Sequence, residues 1–176
     1  MQQKIVFIGG PGTGKSSVLR YLKRRGYKCM PEVSREVTRE AQEQGIDQLF
    51  LTDPLLFSYK LLEGREKQYI NADNSSKEIV FFDRGIPSVH AYLQYFNTEV
   101  PEVFLQKSEK YRYTKIFQFL PWKDIYKSDN ERYETFEQAE KISKFLSDAY
   151  SELGYEIINV PFGSVEERSN FILNTL

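Results

Sequence analysis

The sequence feature that most constrains this chain is the octapeptide GGPGTGKS at residues 9–16. It matches the phosphate-binding pattern GxxxxGK[ST] at every required position, and ordinary glycine usage makes such a match rare by chance. The preceding segment KIVFI, residues 4–8, is an apolar run typical of a buried parallel strand. Val18, Leu19 and Leu22 then recur at helical spacing. This order of strand, glycine loop and helix predicts a P-loop that binds a nucleotide phosphate.

Each residue type in this loop has a physical role. The glycines allow backbone angles closed to other residues, and the loop amides together with the positive end of the next helix would bind phosphate oxygens. Lys15, which we expect to be exposed, would follow the β- and γ-phosphates, and the Ser16 hydroxyl would bind Mg²⁺. The expected nucleotide-binding residues are Gly10, Pro11, Gly12, Thr13, Gly14, Lys15, Ser16 and Ser17. The alternative is a glycine-rich turn with an incidental lysine.

Composition excludes several other classes of protein. Residues 1–176 are expected to form one domain, and 24 basic against 25 acidic residues give no reason to expect a nucleic-acid partner. One cysteine, Cys29, excludes an internal disulfide, and one histidine, His90, argues against a structural zinc site. His90 is expected to pack on its helix. No apolar stretch is long enough to span a membrane and no targeting segment is recognisable, so a cytoplasmic protein is expected.

Five apolar runs alternate with helical patterns. The runs lie at residues 4–8, 27–30, 79–82, 115–120 and 155–160. Helices are expected from near Ser34, after the start signal at residues 52–54, and after Pro87. Two more follow capping boxes, Thr135 with Gln138 and Ser164 with Glu167, and the first of these ends at Gly154. The alternation predicts an α/β fold, with a five-stranded parallel sheet between two layers of helices.

Polar residues follow the third strand at a position where α/β sheets bind ligands. Asp83 and Arg84 come directly after EIVFF. If this strand neighbours the first, Asp83 can reach a magnesium ion beside Ser16, and Arg84 would face the acceptor of the phosphate. A helix N-cap and a surface ion pair are the alternative roles of Asp83 and Arg84.

The second strand is also followed by charged residues. Glu32 could accept a proton from an acceptor hydroxyl, and Arg35 could bind a phosphate or carboxylate of the substrate. An ordinary ion pair between Glu32 and Arg35 across one helical turn explains the same residues.

Two polar, turn-rich segments are expected to be loops. The first is NADNSSK at residues 71–77, and the second is KDIYKSDNER at residues 123–132. The second lies between the fourth strand and a long helix, so we treat residues 121–133 as a candidate lid, with Arg132 able to neutralise phosphate oxygens when the site closes. A solvated run of charges is the alternative.

Several segments together show a family resemblance. GGPGTGKS, PEVSRE, FFDRG, FQFLPWKDIYKSDNERYET and GYEIINVPFGSVEER resemble the AAA-domain-labelled P-loop family related to the ribosylnicotinamide kinase domain of NadR, and more widely the P-loop nucleoside and nucleotide kinases. The resemblance implies that Glu32 is the base near the acceptor hydroxyl, that Asp83 and Arg84 are the acidic–arginine pair, and that Arg132 is a lid arginine. No paired acidic Walker B motif and no arginine-finger region are recognisable, so it does not imply an AAA+ motor.

These patterns favour one function and leave a second open. The first is a Mg²⁺-dependent kinase that transfers the γ-phosphate of ATP to a nucleoside-, nucleotide- or vitamin-like acceptor, using Lys15, Glu32, Asp83, Arg84 and Arg132. The second is a nucleotide-binding switch or slow ATPase that acts through a protein partner. The [NT]KxD motif of GTPases is missing from the sequence, which favours ATP without excluding GTP.

Overall fold

The computed structural model describes residues 2–10, 12–125 and 135–176. In that part of the chain, the strands are β1 Gln3–Ile8, β2 Lys28–Met30, β3 Ile79–Asp83, β4 Lys115–Gln118 and β5 Ile157–Asn159. The helices are α1 Lys15–Arg24, α2 Val33–Glu43, α3 Leu49–Thr52, α4 Pro54–Asp73, α5 Pro87–Tyr95, α6 Glu102–Lys110, α7 Phe136–Glu152 and α8 Val165–Thr175.

All five strands are parallel and run in the spatial order β2-β3-β1-β4-β5. The predicted five-stranded parallel sheet is therefore confirmed. Because the strands share one direction, their carboxyl ends meet at one edge of the sheet. β1 pairs with β3, as the prediction for Asp83 requires, and the register places Phe7 beside Asp83.

Two hydrophobic cores cover the two faces of the sheet. Ile5 and Phe7 point to one face and pack with residues of α1 and α8, including Leu22 and Ile172. Val6 and Ile8 alternate with them and point to the other face, where they meet α4, α5 and α7. Helices on both faces of a parallel sheet bury both sets of side chains and give the predicted three layers.

Most helix boundaries follow the local signals in the sequence. Both predicted capping boxes form, at Thr135 with Gln138 and at Ser164 with Glu167. The expected loop at residues 71–77 is wrong in its first part, because α4 continues to Asp73. Helices α3 and α6 are additional to the prediction, since they are short and carry little periodic signal. No helix among the described residues is long and apolar enough to cross a membrane.

Candidate active site

The glycine loop connects β1 to α1, as predicted. Gly14 is the N-cap of α1 with a φ of 86°, a left-handed conformation that favours glycine, and Gly9 and Gly12 also have positive φ. Gly10 does not share this conformation. Backbone angles that favour glycine are therefore found at three of the four loop glycines. A Cβ on Gly9 would lie 2.4 Å from the carbonyl oxygen of Phe119, which shows how closely the loop backbone approaches the end of β4.

Lys15 lies inside the loop rather than on its surface. Only 6% of it is exposed, and its Nζ donates hydrogen bonds to the carbonyl oxygens of Gly9 and Gly10 at 2.8 and 3.0 Å. The expectation of an exposed lysine is therefore wrong, because the carbonyl groups of the loop converge on its ammonium group. Lys15 still lies within the predicted phosphate site.

The other predicted loop residues have different environments. Thr13 is buried and its hydroxyl donates to the Gly10 carbonyl at 3.0 Å, while Ser16 is exposed at the start of α1. Ser17 lines an open cavity of about 450 Å³ between α1 and the start of α8, together with Arg20 and Ser164. Pro11 lies outside the described residues.

Asp83 ends β3 beside the P-loop strand. It is 5% exposed, and its Oδ1 has no hydrogen-bond partner among the described residues. Burial raises the pKa of Asp83 above its usual range, and the nearby Glu32 carboxylate adds to the increase, whereas Lys15 opposes it. Asp83 is not the N-cap of the next helix, since Ile86 occupies that position in α5.

Arg84 connects the P-loop to the end of β2. Its Nη1 lies 2.7 Å from Glu32 Oε2, and its Nη2 donates to the Gly9 carbonyl at 3.5 Å. The guanidinium also lies 5.3 Å from the centre of the Tyr92 ring. Arg84 is therefore not a surface ion pair; it is mostly buried at the centre of the site. Its backbone has a φ of 67°, a left-handed conformation that costs a non-glycine residue about 1–2 kcal/mol.

Glu32 is the carboxylate at the centre of a cluster of buried charged side chains. It is the N-cap of α2, accepting a hydrogen bond from the Ser34 amide at 3.2 Å, and it pairs with Arg84 and with Arg65 at 3.3 Å. Burial by itself would raise the pKa of Glu32, but the positive charges of Arg84, then Arg65 and Lys15, outweigh it and lower the pKa well below its usual range. Glu32 is therefore ionised at neutral pH.

Arg65 completes this cluster and was missed by sequence reasoning. It lies on α4, is 2% exposed, and donates to the carbonyl of Gly85 at 2.9 Å as well as to Glu32. A Cβ on Gly64 would lie 2.4 Å from Val33 Cγ1, so α4 approaches the start of α2 closely. The signal that could have identified Arg65 is its spacing, four residues after Leu61 on the buried face of α4.

Arg168 on α8 is a second buried arginine that no motif in the sequence indicated. It is 2% exposed and binds the carbonyl of Thr13 in the P-loop. Its place four residues before the buried Ile172 is the corresponding signal in the sequence.

The remaining predicted site residues are not part of the cluster. Arg35 is exposed on α2, and Glu32 pairs with Arg84 and Arg65 instead. Residues 126–133 of the candidate lid, Arg132 among them, lie outside the described residues. The described beginning of that lid is close to the P-loop, since a Cβ on Gly14 would lie 3.6 Å from Ile125 Cδ1.

The residues at this edge of the sheet fit a magnesium ion held in part by phosphate. Among the described residues, no group of three or more His, Cys, Asp or Glu side chains could hold a metal. Mg²⁺ in nucleotide sites needs only one or two protein ligands, because water and phosphate oxygens supply the others. The unpartnered Oδ1 of Asp83 and the exposed hydroxyl of Ser16 match that requirement.

Comparison with known proteins gives one family match and several similar structures. The matching family model is described as an AAA domain and covers residues 4–168. Deoxyadenosine kinase from M. mycoides has a TM-score of 0.70 and 16% identity, with 98% of each chain covered. NadR in complex with NR has a TM-score of 0.74 and 17% identity, covering 98% of this chain and 49% of that one. Thymidylate kinase from Candida albicans has a TM-score of 0.69 and 16% identity, covering 99% and 90%.

No curated protein matches the chain. At these identities the solved structures show a shared fold, and the family model spans most of the chain. The resemblance seen in the sequence is thereby confirmed. The chain belongs to the AAA-domain family matched over residues 4–168, and it shares the three-layer fold of NadR and of the nucleoside and nucleotide kinases.

Proposed function

We propose that this protein is a Mg²⁺-dependent kinase that transfers the γ-phosphate of ATP to a hydroxyl or phosphate group of a small nucleoside-, nucleotide- or vitamin-like acceptor. The observation that carries the proposal is the position of Arg84, which contacts both Gly9 in the P-loop and Glu32 at the end of β2. In phosphate transfer, the acceptor oxygen must be aligned with the bond that breaks in the donor. Arg84 contacts both the P-loop, which is suited to bind the donor, and Glu32, which is suited to bind the acceptor.

The donor half consists of the P-loop and Asp83. The loop amides and Lys15 would bind the β- and γ-phosphates, with Lys15 exchanging its contacts to the Gly9 and Gly10 carbonyls for phosphate oxygens. Ser16 and Asp83 would hold Mg²⁺, which neutralises charge on the phosphate oxygens. Arg132, from the candidate lid, would add a further positive charge.

The acceptor half is centred on Glu32. An ionised carboxylate can accept a hydrogen bond from an acceptor hydroxyl and orient its oxygen toward the γ-phosphorus. As that oxygen forms its bond to phosphorus, the bond to the β-phosphate oxygen breaks, the hydroxyl proton passes to Glu32, and ADP leaves. Arg84 would stabilise the charge on the transferred group, and Arg35 would contact the more distant part of the acceptor.

The similar structures support the proposed kinase function and suggest which acceptors to test. They include a deoxyadenosine kinase solved with dCMP and dCDP, NadR solved with NR, and a thymidylate kinase. Nucleosides, nucleoside monophosphates and nicotinamide riboside are therefore the first acceptors to examine. A cytoplasmic location remains a prediction from the sequence.

A nucleotide-binding switch or slow ATPase acting through a protein partner is the second candidate. The P-loop fits it equally well, because holding a phosphate requires no acceptor. The cluster of Glu32, Arg84 and Arg65 favours the kinase, since a switch has no need of a buried carboxylate on the acceptor side.

The deciding experiment supplies γ-labelled ATP, Mg²⁺ and a panel of nucleosides, nucleotides and vitamin-like alcohols, with a parallel series in GTP. The expected result is a labelled acceptor that depends on Mg²⁺ and is lost in Lys15→Ala. ATP that is held or slowly hydrolysed while every acceptor stays unlabelled would contradict the kinase and favour the switch. A preference for GTP as donor would show that the nucleotide base recognised is guanine and not adenine.

A further inference from the structure

Arg168 makes an unusual contact between the last helix and the P-loop. Its Nη1 and Nη2 both donate hydrogen bonds to the carbonyl oxygen of Thr13, each at 3.0 Å, although the two residues are 155 positions apart in the chain. Arg168 is 2% exposed, and its guanidinium lies 4.7 Å from the centre of the Phe119 ring and 5.8 Å from that of Trp122. The arginine is therefore in contact with two aromatic rings while it binds one peptide group.

This contact fixes the direction of a loop amide. A trans peptide group is planar, so its carbonyl and its N–H point in opposite directions. Because the Thr13 carbonyl points at Arg168, the N–H of the same peptide, which belongs to Gly14, points away from Arg168. The Thr13 side chain holds the same residue from within the loop, since its hydroxyl donates to the Gly10 carbonyl.

The charge of Arg168 also affects the Gly14 amide. Among the described residues its guanidinium forms no salt bridge, and its acceptor is a neutral carbonyl. Burial lowers the pKa of Arg168, yet an arginine stays protonated at neutral pH. A buried cation without a carboxylate is costly for stability. Its positive charge directly behind the Thr13–Gly14 peptide polarises that peptide and makes its N–H a better donor to an anion.

We propose that Arg168 is a positioning residue of the phosphate site, which binds the Thr13 carbonyl and thereby aims the Gly14 amide at a phosphate oxygen of the nucleotide. Arg168 acts through the loop and does not itself contact the phosphate. The inference rests on the proposed role of the P-loop in nucleotide binding, and ADP binding by the wild-type protein tests that role separately.

The test compares Arg168→Met and Arg168→Lys with Arg39→Met, an exposed arginine on α2 whose ion pair with Glu43 spans 4.0 Å. Calorimetric titration with Mg²⁺ and ADP, and with inorganic pyrophosphate, gives the dissociation constants, and thermal melts report stability. We expect Arg168→Met to weaken binding of both probes at least about tenfold and Arg168→Lys to weaken it less, because lysine retains the charge. Arg39→Met should bind as the wild type does.

A merely structural arginine would give a different result. The variants would then melt earlier but, while folded, bind ADP and pyrophosphate with wild-type affinity, and this outcome would overturn the proposal. The wild-type protein provides a test that needs no variant, since the Gly14 amide proton should shift downfield in NMR spectra when ADP is added. An unmoved Gly14 resonance at saturating ADP would also overturn it. A wild-type protein that fails to bind ADP would instead refute the proposed function.

Discussion

Glu32 Oε2 lies 2.7 Å from Arg84 Nη1, and this ion pair joins the carboxyl ends of β2 and β3 beside the P-loop. Both side chains are mostly buried, so the pair is only weakly screened by solvent. Arg65 binds the other oxygen of the same carboxylate at 3.3 Å. Glu32 is thus held ionised and in one orientation, which its proposed role of orienting an acceptor hydroxyl requires.

Replacing Glu32 with glutamine should separate phosphate transfer from nucleotide binding. Glutamine has a similar shape but cannot take a proton, so transfer to the acceptor found by the panel should fall by about 10²–10⁴-fold. The affinity for ADP, measured by calorimetry, should stay close to that of the wild type. Glu36→Gln, at an exposed position on α2, is the matched control. Transfer at near the wild-type rate in Glu32→Gln would show that Glu32 does not serve as the base.

Replacing Lys15 with alanine should weaken nucleotide binding and also lower stability. Loss of a charged hydrogen bond to phosphate corresponds to about 1.5–3 kcal/mol, or a tenfold or larger rise in the dissociation constant for ADP. The carbonyls of Gly9 and Gly10 each lose one of their donors at the same time, while Arg84 and Thr13 still donate to them, so urea unfolding should show a loss of about 1 kcal/mol. Lys23→Ala, on the exposed face of α1, should change neither quantity. Unchanged ADP affinity in Lys15→Ala would refute the assigned role.

Arg65→Met should destabilise the folded protein. Methionine fills much of the space but leaves the Gly85 carbonyl without this donor and removes the Arg65 ion pair of Glu32, so that Glu32 keeps its ion pair with Arg84. Breaking a buried ion pair costs about 3–5 kcal/mol, and we expect the lower end because Arg84 remains. Urea denaturation measures the change, and the exposed Arg39→Met is the comparison, with an expected change below about 1 kcal/mol. Equal stability of the two variants would contradict this account of the cluster.

His90, the single histidine, should make stability depend on pH in mildly acidic solution. It is 1% exposed, and burial lowers its pKa from 6.5 to about 4. The unfolded chain therefore binds a proton at a higher pH than the folded protein does, so stability is fully present above pH 6.5 and is lost as the pH falls toward 4.

The shift corresponds to a loss of up to about 3 kcal/mol between these pH values. Unfolding curves recorded across this range should show it in the wild type and a smaller slope in His90→Leu, which cannot titrate. If the two proteins lose stability in parallel from pH 6.5 to pH 4, His90 is not the responsible group.

Local signals in the sequence were sufficient for much of the fold. The two capping boxes formed at the predicted residues, since the hydrogen bonds that make them join residues only three positions apart. Helix α6 was missed because it has nine residues, of which two, Phe104 and Ser108, are buried. The exposure of Lys15 was predicted wrongly, because the carbonyl groups that surround it are arranged only by the conformation of the loop.

The sequence by itself determined the P-loop, the segments that form strands and helices, and the positions of Glu32, Asp83 and Arg84 at strand ends. These features depend on residues close together in the chain, whose spacing specifies backbone conformation and burial. Only the tertiary structure decided that Arg65 meets Glu32 across 33 residues and that Arg168 meets Thr13 across 155. The physical reason is the strand order β2-β3-β1-β4-β5, which brings segments that are distant in the chain together at one edge of the sheet. An arginine buried there is stable only if its guanidinium finds hydrogen-bond acceptors, and these come from the distant segments.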